Sequence, residues 1–356
     1  MAEISSFAPG RVELLGNHTD YNEGLVLSAA IHLGITVTGK GVASDRVHLQ
    51  SRQIAPPWEG DLKEELRAQK IWADYPRGIA WALQKEGWAI EGFEAQFDST
   101  LPVGAGLSSS AAIEVATAVF LCRLFHFTLS PLKLAKLCRK AENEFVGVQC
   151  GLLDQVSSLF GKKNHAIFLD CRHERIETIP FLNNTVLLVI HSGVPHALTG
   201  GEYNDRRRDC FEAARLLEVT ALRDVSSEQV LQLPEGQIRK RALHITGENE
   251  RVSKGVDLLR EGDVCQFGAL MTASHRSSQE NFENSTPALD LLVELSLNQP
   301  HVYGARLTGG GFGGAIVALV PQSVAQQVAE NITRTYFQRT GYSAKAVVCK
   351  IADGAR

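Results

Sequence analysis

Residues 101–114, LPVGAGLSSSAAIE, place glycines and serines directly before an apolar stretch that predicts a buried helix. Glycines let a ligand come close to the backbone, and the first turn of a helix offers free N–H groups that favour an anion. The pattern predicts a phosphate cradle, and an ordinary serine-capped turn is the alternative. The predicted cradle consists of Gly104, Ala105, Gly106, Leu107, Ser108, Ser109 and Ser110.

A second glycine cluster, TGGGFGG at 308–314, formally contains the G-x-G-x-x-G pattern. The dinucleotide-binding form of that pattern opens a helix, whereas the following residues 315–320, AIVALV, predict a strand. Five glycines around one Phe instead indicate backbone that another segment approaches closely. A structural hairpin is the alternative.

The cradle lacks the Lys of a Walker P-loop, so other groups must meet the charge of a phosphate. Three charged side chains form the third candidate element of the site. Glu142 and Asp154 lie on two predicted helices that a turn separates, so they could converge. Asp154 has apolar neighbours, and a carboxylate there calls for a partner. Arg11 would complete an acid and cation pair. The plain alternatives are a solvated Glu142 and a surface Arg11.

The polar loop 16–24, GNHTDYNEG, gathers amide, imidazole, hydroxyl and carboxyl groups between two predicted strands. Loops of this kind carry function more often than they carry packing. We therefore treat this loop as a second candidate functional segment beside the cradle.

The elements that must position these residues follow from hydrophobic periodicity. The first fifty residues are mostly sheet, and a helix is expected over 69–87, where Pro76 sets a kink or a late start. The predicted strands of the first half are 3–16, 25–41, 46–51, 92–99, 165–170, 176–179 and 186–191, and its other predicted helices are 111–124, 130–145 and 152–160.

The second half is helical over residues 202–298, where breaks at Pro234, Gly247, Gly262 and Pro287 predict about five helices. Sheet returns at the end of the chain. The predicted strands there are 302–307, 315–320 and 344–351, with an amphipathic helix over 323–340. Because no linker composition interrupts the chain, any boundary near residue 180 should join two lobes that pack closely.

Composition limits the classes of function. With 356 residues, 44% of them hydrophobic, the chain can bury a large core, and a net charge of −4 with scattered Lys and Arg argues against nucleic acid as a partner. Seven cysteines without a C-x-x-C pair predict reduced thiols rather than disulfides or zinc. We see no signal peptide and no membrane-spanning run. The sequence therefore predicts a cytoplasmic protein whose partner is a small molecule.

Three motifs in order resemble those of the GHMP small-molecule kinases, and among them the galactokinases. They are GRVELLGNHTDYNEG at 10–24, VGAGLSSSAA at 103–112 and TGGGFGGA at 308–315, and further segments agree along nearly the whole chain. The resemblance implies an α+β fold of two lobes. The N-terminal lobe, residues 1–180, would resemble domain 2 of ribosomal protein S5, and the C-terminal lobe, residues 181–356, would be ferredoxin-like. We also expect a monomer.

The resemblance implies that the cradle binds the phosphates of ATP, with Ser110 and Glu142 as the ligands of Mg²⁺. An aromatic pair, Trp72 and Tyr75, would lie near the adenine, although both residues also fit a buried helical face. Such an enzyme transfers a phosphoryl group mainly by positioning the reactants and neutralising charge.

The resemblance also assigns the reacting groups. Asp154 would be the catalytic base that takes the proton from the anomeric hydroxyl of a sugar. Arg11 would hold Asp154 ionised and stabilise the charge that develops between the nucleophile and the transferred phosphoryl group.

The sugar side departs from the family pattern. The residues that would bind the sugar are Asn17, His18, Thr19, Asp20, Gly151 and Tyr203. The family has Glu where this chain has Asn17, and Asn where it has Glu13. Because the family's Glu contacts the hydroxymethyl end of the sugar, Asn17→Glu is expected to improve the use of galactose if that loss altered selectivity.

Three hypotheses remain open at this point. The first is an ATP- and Mg²⁺-dependent sugar 1-kinase acting on D-galactose. The second keeps the chemistry but takes another aldose or an amino sugar, because of Asn17. The third is a non-catalytic sensor of sugar and ATP, against which the complete set of reacting groups argues.

Overall fold

The computed structural model describes residues 3–64, 66–102, 104–194 and 201–356. Within these ranges the chain builds two β-sheets, one from the first half of the sequence and one from the second, with helices packed against both. This mixed architecture confirms the predicted α+β fold class.

The first sheet has seven strands among the described residues. They are β1 (Ile4–Leu15), β2 (Leu25–Gly41), β3 (Arg46–Ser51), β4 (Trp58–Asp61), β5 (Phe93–Ser99), β6 (His165–Asp170) and β7 (Arg175–Pro180). Six of them follow the order β4-β3-β5-β2-β6-β7, and β1 pairs with β2. The pairing shifts register between Pro9 and Arg11, where Pro9 and Gly10 predict a break. Only β4 lacked a sequence signal, because WEGD has no alternating apolar residues.

The helices of the first half are α1 (Asp74–Lys85), α2 (Ser109–Leu124), α3 (Pro131–Lys140) and α4 (Leu153–Phe160). Helix α1 starts late because the Asp74 carboxylate accepts the backbone N–H groups of Gln69 and Ile71, which keeps them out of a helical ladder. Helix α3 does not run on to residue 145. It passes into a six-residue π-helical turn, Ala141–Val146, which carries Glu142.

The second sheet is antiparallel and contains β8 (Thr185–His191), β9 (Gly304–Thr308), β10 (Ala315–Pro321) and β11 (Lys345–Cys349). Its order is β11-β8-β10-β9. With helices between β8 and β9 and between β10 and β11, this is the arrangement of a ferredoxin-like β-α-β-β-α-β unit.

The helices of the second half are α5 (Gly201–Leu216), α6 (Ser227–Val230), α7 (Gln237–Glu261), α8 (Val264–Ser277), α9 (Pro287–Leu297) and α10 (Ala325–Thr340). The predicted break at Gly247 is wrong, because this residue lies inside α7. A single helical glycine costs only about 1 kcal/mol, and buried contacts of its neighbours His244 and Glu248 stabilise the helix there. None of the helices in the described ranges is long and apolar enough to cross a membrane.

One hydrophobic core joins the two sheets. It includes Val12 of β1, Val256 of α7 and Val317 of β10. The chain passes from the first sheet to the second between Pro180 and Thr185. The division into domains at residue 180 stays a prediction, since packing is continuous across this point.

Candidate active site

The predicted cradle forms the turn between β5 and α2, within the described residues 104–110. Gly104 and Gly106 have positive φ angles of 73° and 65°, a conformation that glycine adopts without steric cost. Ser108 has φ 55° as the N-cap residue of α2 and makes no side-chain cap hydrogen bond. The first-turn N–H groups of α2 are therefore not capped by this serine, and they border a cleft of about 240 Å³.

The second glycine cluster is the turn of the β9–β10 hairpin, and it packs against the cradle. A Cβ atom on Gly106 would lie 3.4 Å from the carbonyl oxygen of Thr308, and one on Gly309 would lie 3.6 Å from that of Gly106. The predicted close approach of another segment is confirmed, and the hairpin alternative describes the same turn. Glycines on both sides let the two lobes meet backbone to backbone around the cleft.

Arg11 and Asp154 form a bidentate ion pair at the edge of this cleft. Arg11 Nε lies 2.7 Å from Asp154 Oδ1, and Arg11 Nη2 lies 3.0 Å from Oδ2. The third guanidinium nitrogen, Nη1, donates to the carbonyl oxygen of Gly106 at 2.8 Å. Ser108 Oγ donates to Asp154 Oδ2 at 2.5 Å. The carboxylate is therefore fixed beside the cradle by three donors, and a hydrogen bond ties its partner to the cradle backbone.

Glu142 is a buried residue of the π-helical turn and faces the start of α2. Its side chain hydrogen-bonds to that of Ser110, and Gln155 Nε2 donates to its Oε2 at 2.8 Å. Gln155 Nε2 also contacts Glu114 Oε2 at 3.3 Å. Burial raises the pKa of Glu142, and it raises the pKa of Glu114 well above its ordinary value. Ser110 and Glu142, which the sequence joined only by resemblance, thus lie side by side.

Asp20 and Gly151 meet at the sugar side of the predicted site. A Cβ atom on Gly151 would lie only 2.0 Å from Asp20 Oδ2, so the absence of a side chain there is what admits the carboxylate. Burial raises the pKa of Asp20 to about 6, and the charges of Asp154 and Glu13 act in the same direction. Tyr203 packs beside this loop, with its ring centroid 4.9 Å from that of His18.

The inner residues of loop 16–24 point into the protein. Thr19 is fully buried, and its hydroxyl contacts the carbonyl oxygens of Gly16 in the loop and of Leu25 at the start of β2. His18 is buried between Tyr21 and Gly310, and burial lowers its pKa to about 4. The Thr19 side chain therefore closes the loop and has no exposed surface, and a sugar contact by Thr19 remains a prediction.

Asn17 is also buried, and both hydrogens of its amide are used within the protein. Its Nδ2 atom donates to Glu13 Oε1 at 2.9 Å and to the Gly309 carbonyl oxygen at 2.8 Å. Its Oδ1 atom accepts from Asn284 Nδ2 at 2.9 Å. Asn17 thus ties loop 16–24, called the sugar loop from here on, to the glycine-rich hairpin turn, and a sugar contact by Asn17 remains a prediction.

Three comparisons with known proteins extend this geometry. The family model of the GHMP kinases N terminal domain matches residues 74–162, that of the GHMP kinases C terminal matches 256–338, and the galactokinase galactose-binding signature matches 2–40. The galactokinase of Thermotoga maritima is 39% identical over 94% of this chain and 94% of its own length. That of Pyrococcus furiosus is 39% identical over 99% of both. The chain belongs to the galactokinase family of GHMP kinases.

Solved structures agree with this family. The galactokinase of Lactococcus lactis complexed with galactose is 33% identical and superposes with a TM-score of 0.96 over 99% of this chain and 95% of that one. The mevalonate kinase of Methanococcus jannaschii, at 19% identity and a TM-score of 0.74 over 99% and 98% of the two chains, shares the fold. The chain is a sugar kinase, and ATP use follows from the kinase family.

Trp72 and Tyr75, the predicted aromatic pair of this galactokinase-family chain, lie in different surroundings. Trp72 packs edge-on against Phe97, with ring centroids 5.5 Å apart, and its indole N–H donates to the Pro56 carbonyl oxygen. Burial raises the pKa of Tyr75 to about 12, and the charge of Glu142 acts in the same direction. Their contact with adenine remains a prediction.

Residues that sequence reasoning missed hold the sugar loop from behind. Glu248 of α7 accepts the backbone N–H groups of Gly16 and Asn17 at 2.8 and 3.0 Å. His244, one helical turn earlier, contacts the Asn17 carbonyl oxygen at 3.2 Å through Nε2. Their i, i+4 spacing puts both on one face of a helix, but nothing in the sequence says which distant loop that face meets.

Proposed function

We propose that this chain transfers the γ-phosphoryl group of ATP to the anomeric hydroxyl of D-galactose, giving galactose 1-phosphate. The observation that carries the proposal is the Arg11–Asp154 pair at the edge of the glycine and serine cradle. An ionised carboxylate beside an anion site is what proton removal from a sugar hydroxyl requires at the moment of phosphoryl transfer. The galactose complex of the Lactococcus lactis relative supports the choice of sugar.

In this proposal Asp154 accepts the proton of the anomeric hydroxyl as its oxygen attacks the γ-phosphorus. Arg11 pairs with the carboxylate and orients it, and the Ser108 hydroxyl fixes one of its oxygens. The backbone N–H groups at the start of α2 bind the phosphates that stay on the nucleotide when the γ-phosphoryl group departs. Asp20, Gly151 and Tyr203 border the space for the sugar.

Mg²⁺ fits the pair of Ser110 and Glu142. A hydroxyl and a carboxylate are hard oxygen donors, and they hydrogen-bond to each other at the start of α2. Because Mg²⁺ usually keeps several of its waters, one hydroxyl and one carboxylate from the protein would suffice to hold it. When bound, the ion would neutralise phosphate charge.

A cytoplasmic monomer is the remaining part of the proposal. The seven cysteines, all within the described ranges, are free thiols, which suits a reducing compartment. The exposed large apolar side chains include Ile54 between β3 and β4, Phe211 in α5 and Phe337 in α10, which lie far apart along the chain.

The deciding experiment measures ADP release, with MgATP, across a panel of free sugars. We expect galactose to turn over with the highest kcat/KM. Turnover of another aldose or an amino sugar without galactose would favour the second hypothesis. Binding of sugar and ATP by calorimetry with no turnover of any sugar would favour a sensor.

Asp154→Asn tests the base. We expect kcat to fall at least about 100-fold, while ATP binding measured by calorimetry changes little. Asp98→Asn is the matched control, because Asp98 pairs with Arg52 at the same 2.7 Å but at an exposed position near the end of β5. Equal rates for Asp154→Asn and the wild type would remove Asp154 from the mechanism.

A further inference from the structure

Glu13 of β1 has one carboxylate oxygen that the protein uses and one that it does not. Oε1 accepts from Asn17 Nδ2 at 2.9 Å and from Arg306 Nη1 at 3.0 Å. Among the described residues, no hydrogen bond to Oε2 is formed. Oε2 is also not among the fully buried atoms that lack a partner, and Glu13 keeps 5% of its surface exposed. A carboxylate that is held rigidly by one oxygen therefore offers the other to open space.

The strand places that carboxylate on the active-site side. β1 pairs regularly with β2 from Arg11 to Glu13, with Arg11 opposite Ala30 and Glu13 opposite Ser28. Because side chains alternate along a strand, Arg11 and Glu13 project from the same face. Arg11 reaches Asp154 from that face, and the charge of Glu13 also acts on Asp20. Glu13 thus borders the same space as the proposed base and the sugar-loop carboxylate.

The surroundings of Glu13 supply a buried cation as its partner. Arg306 of β9 is fully buried, and the hydrogen bonds that its guanidinium makes go to the side chain and the carbonyl oxygen of Glu13. A buried guanidinium without a carboxylate partner would be strongly destabilising. Asn17 is a weaker candidate acceptor for a ligand hydroxyl, because its amide oxygen is neutral and already accepts from Asn284. Its amide hydrogens are donated to Glu13 and Gly309.

We propose that Glu13 is a specificity-determining residue whose free carboxylate oxygen accepts a hydrogen bond from one hydroxyl of the sugar. The assignment rests on the proposed function, since it takes the sugar to lie between Asp154 and Asp20. It places the acidic acceptor of the site on β1, with Asn17 as the amide that orients it. Rejection of sugars that lack or misplace this hydroxyl would follow, because a buried carboxylate oxygen would then lose its donor.

The test pairs variants of the protein with deoxy sugars. Titration calorimetry measures binding of galactose and of its 2-, 3-, 4- and 6-deoxy analogues to the wild type and to Glu13→Gln, so turnover is not needed. We expect the wild type to bind one of the four analogues about ten- to a hundredfold more weakly than it binds galactose. In Glu13→Gln that ratio of affinities should fall close to one. Asp74→Asn is the control for loss of a buried carboxylate, since Asp74 pairs with Arg77 in α1, and it should keep the wild-type ratios.

The outcomes separate the two proposals. If Glu13→Gln weakens the binding of galactose and of all four analogues by the same factor, the assignment is overturned and Glu13 is only the partner of Arg306. Binding of galactose without ADP release by the wild type would overturn the proposed function. The affinity ratios of the deoxy analogues would still test the role of Glu13 in sugar binding. Failure of the wild type to bind galactose would overturn both. Thermal unfolding of each variant checks that the ratios are measured on folded protein.

Discussion

At residue scale, Asn17 and Glu13 exchange the residue types of the family pattern and contact each other at 2.9 Å. The sequence alone suggested that Asn17→Glu would restore an acidic sugar contact. The structure reverses that expectation, because the new carboxylate would face that of Glu13 in a buried network. Like charges this close cannot both ionise without a large cost.

Asn17→Glu should therefore destabilise the protein by about 2–4 kcal/mol and weaken sugar binding. Urea unfolding and calorimetry measure the two effects. The double variant Glu13→Asn with Asn17→Glu should recover part of the lost stability, because it restores one carboxylate beside one amide but takes the Glu13 carboxylate away from Arg306. Unchanged stability of the single variant would contradict the packing of this pair.

Asp20 gives the site a pH dependence. Its pKa is raised to about 6 from the ordinary 3.8, so the carboxylate is charged above that value and protonated below it. We expect KM for the sugar to be constant above about pH 7 and to rise as pH falls through 6. KM for ATP should not follow this titration, because Asp20 lies on the sugar side of the proposed site. Asp20→Asn should lack this limb of the profile.

The same shift sets the sign of an effect on stability. A carboxyl group whose pKa is raised on folding stabilises the protein fully below its unfolded value and loses that contribution as pH rises through the folded one. Asp20→Asn should therefore gain stability relative to the wild type as pH rises from about 4 to 7. A gain that is equal at all pH values would contradict burial as the cause.

At the scale of elements, the β9–β10 turn depends on glycines that meet other backbone. Gly311 has φ 81°, and a Cβ atom on it would lie 2.3 Å from the Asn284 carbonyl oxygen. Gly341, which ends α10 with φ 75°, has nothing within 4 Å of that position. The two glycines share a conformation and differ in the space around them.

Gly311→Ala should therefore cost about 2–4 kcal/mol of unfolding free energy, from strain and overlap together. Gly341→Ala should cost only about 1 kcal/mol, from the left-handed backbone alone. Urea unfolding compares the pair. Gly311→Ala should also weaken ATP binding, because the hairpin turn borders the cradle, and equal costs for the two variants would argue against this close packing.

At the scale of the whole molecule, the shared core predicts cooperative unfolding. The four tryptophans, at 58, 72, 81 and 88, all lie in the first half of the chain, whereas most helical residues lie in the second. Tryptophan fluorescence and far-UV circular dichroism thus report different lobes. We expect their urea transitions to coincide, because residues of both sheets and of α7 form one cluster. Two separated midpoints would mean that the lobes unfold independently.

The strands of the first sheet and the helix α2 were predictable from local pattern, because alternation and continuous apolar runs follow directly from which faces are buried. The start of α1 was not, since it depends on the Asp74 side chain binding backbone N–H groups ahead of the helix. Nor was the continuity of α7 through Gly247, which rests on contacts with a loop more than two hundred residues away along the chain.

By itself, the sequence determined the chemistry that this protein can perform: glycines and serines before a buried helix, an Arg and an Asp to pair, and a polar loop of fixed composition. These are properties of residue type and spacing, which local physics reads directly. Only the tertiary structure decided which groups meet. Asn17 turns inward to Glu13 and Asn284, Thr19 closes its own loop, and Glu248 holds that loop from α7. Such contacts join distant parts of the chain, and they arise when the two sheets pack around one core.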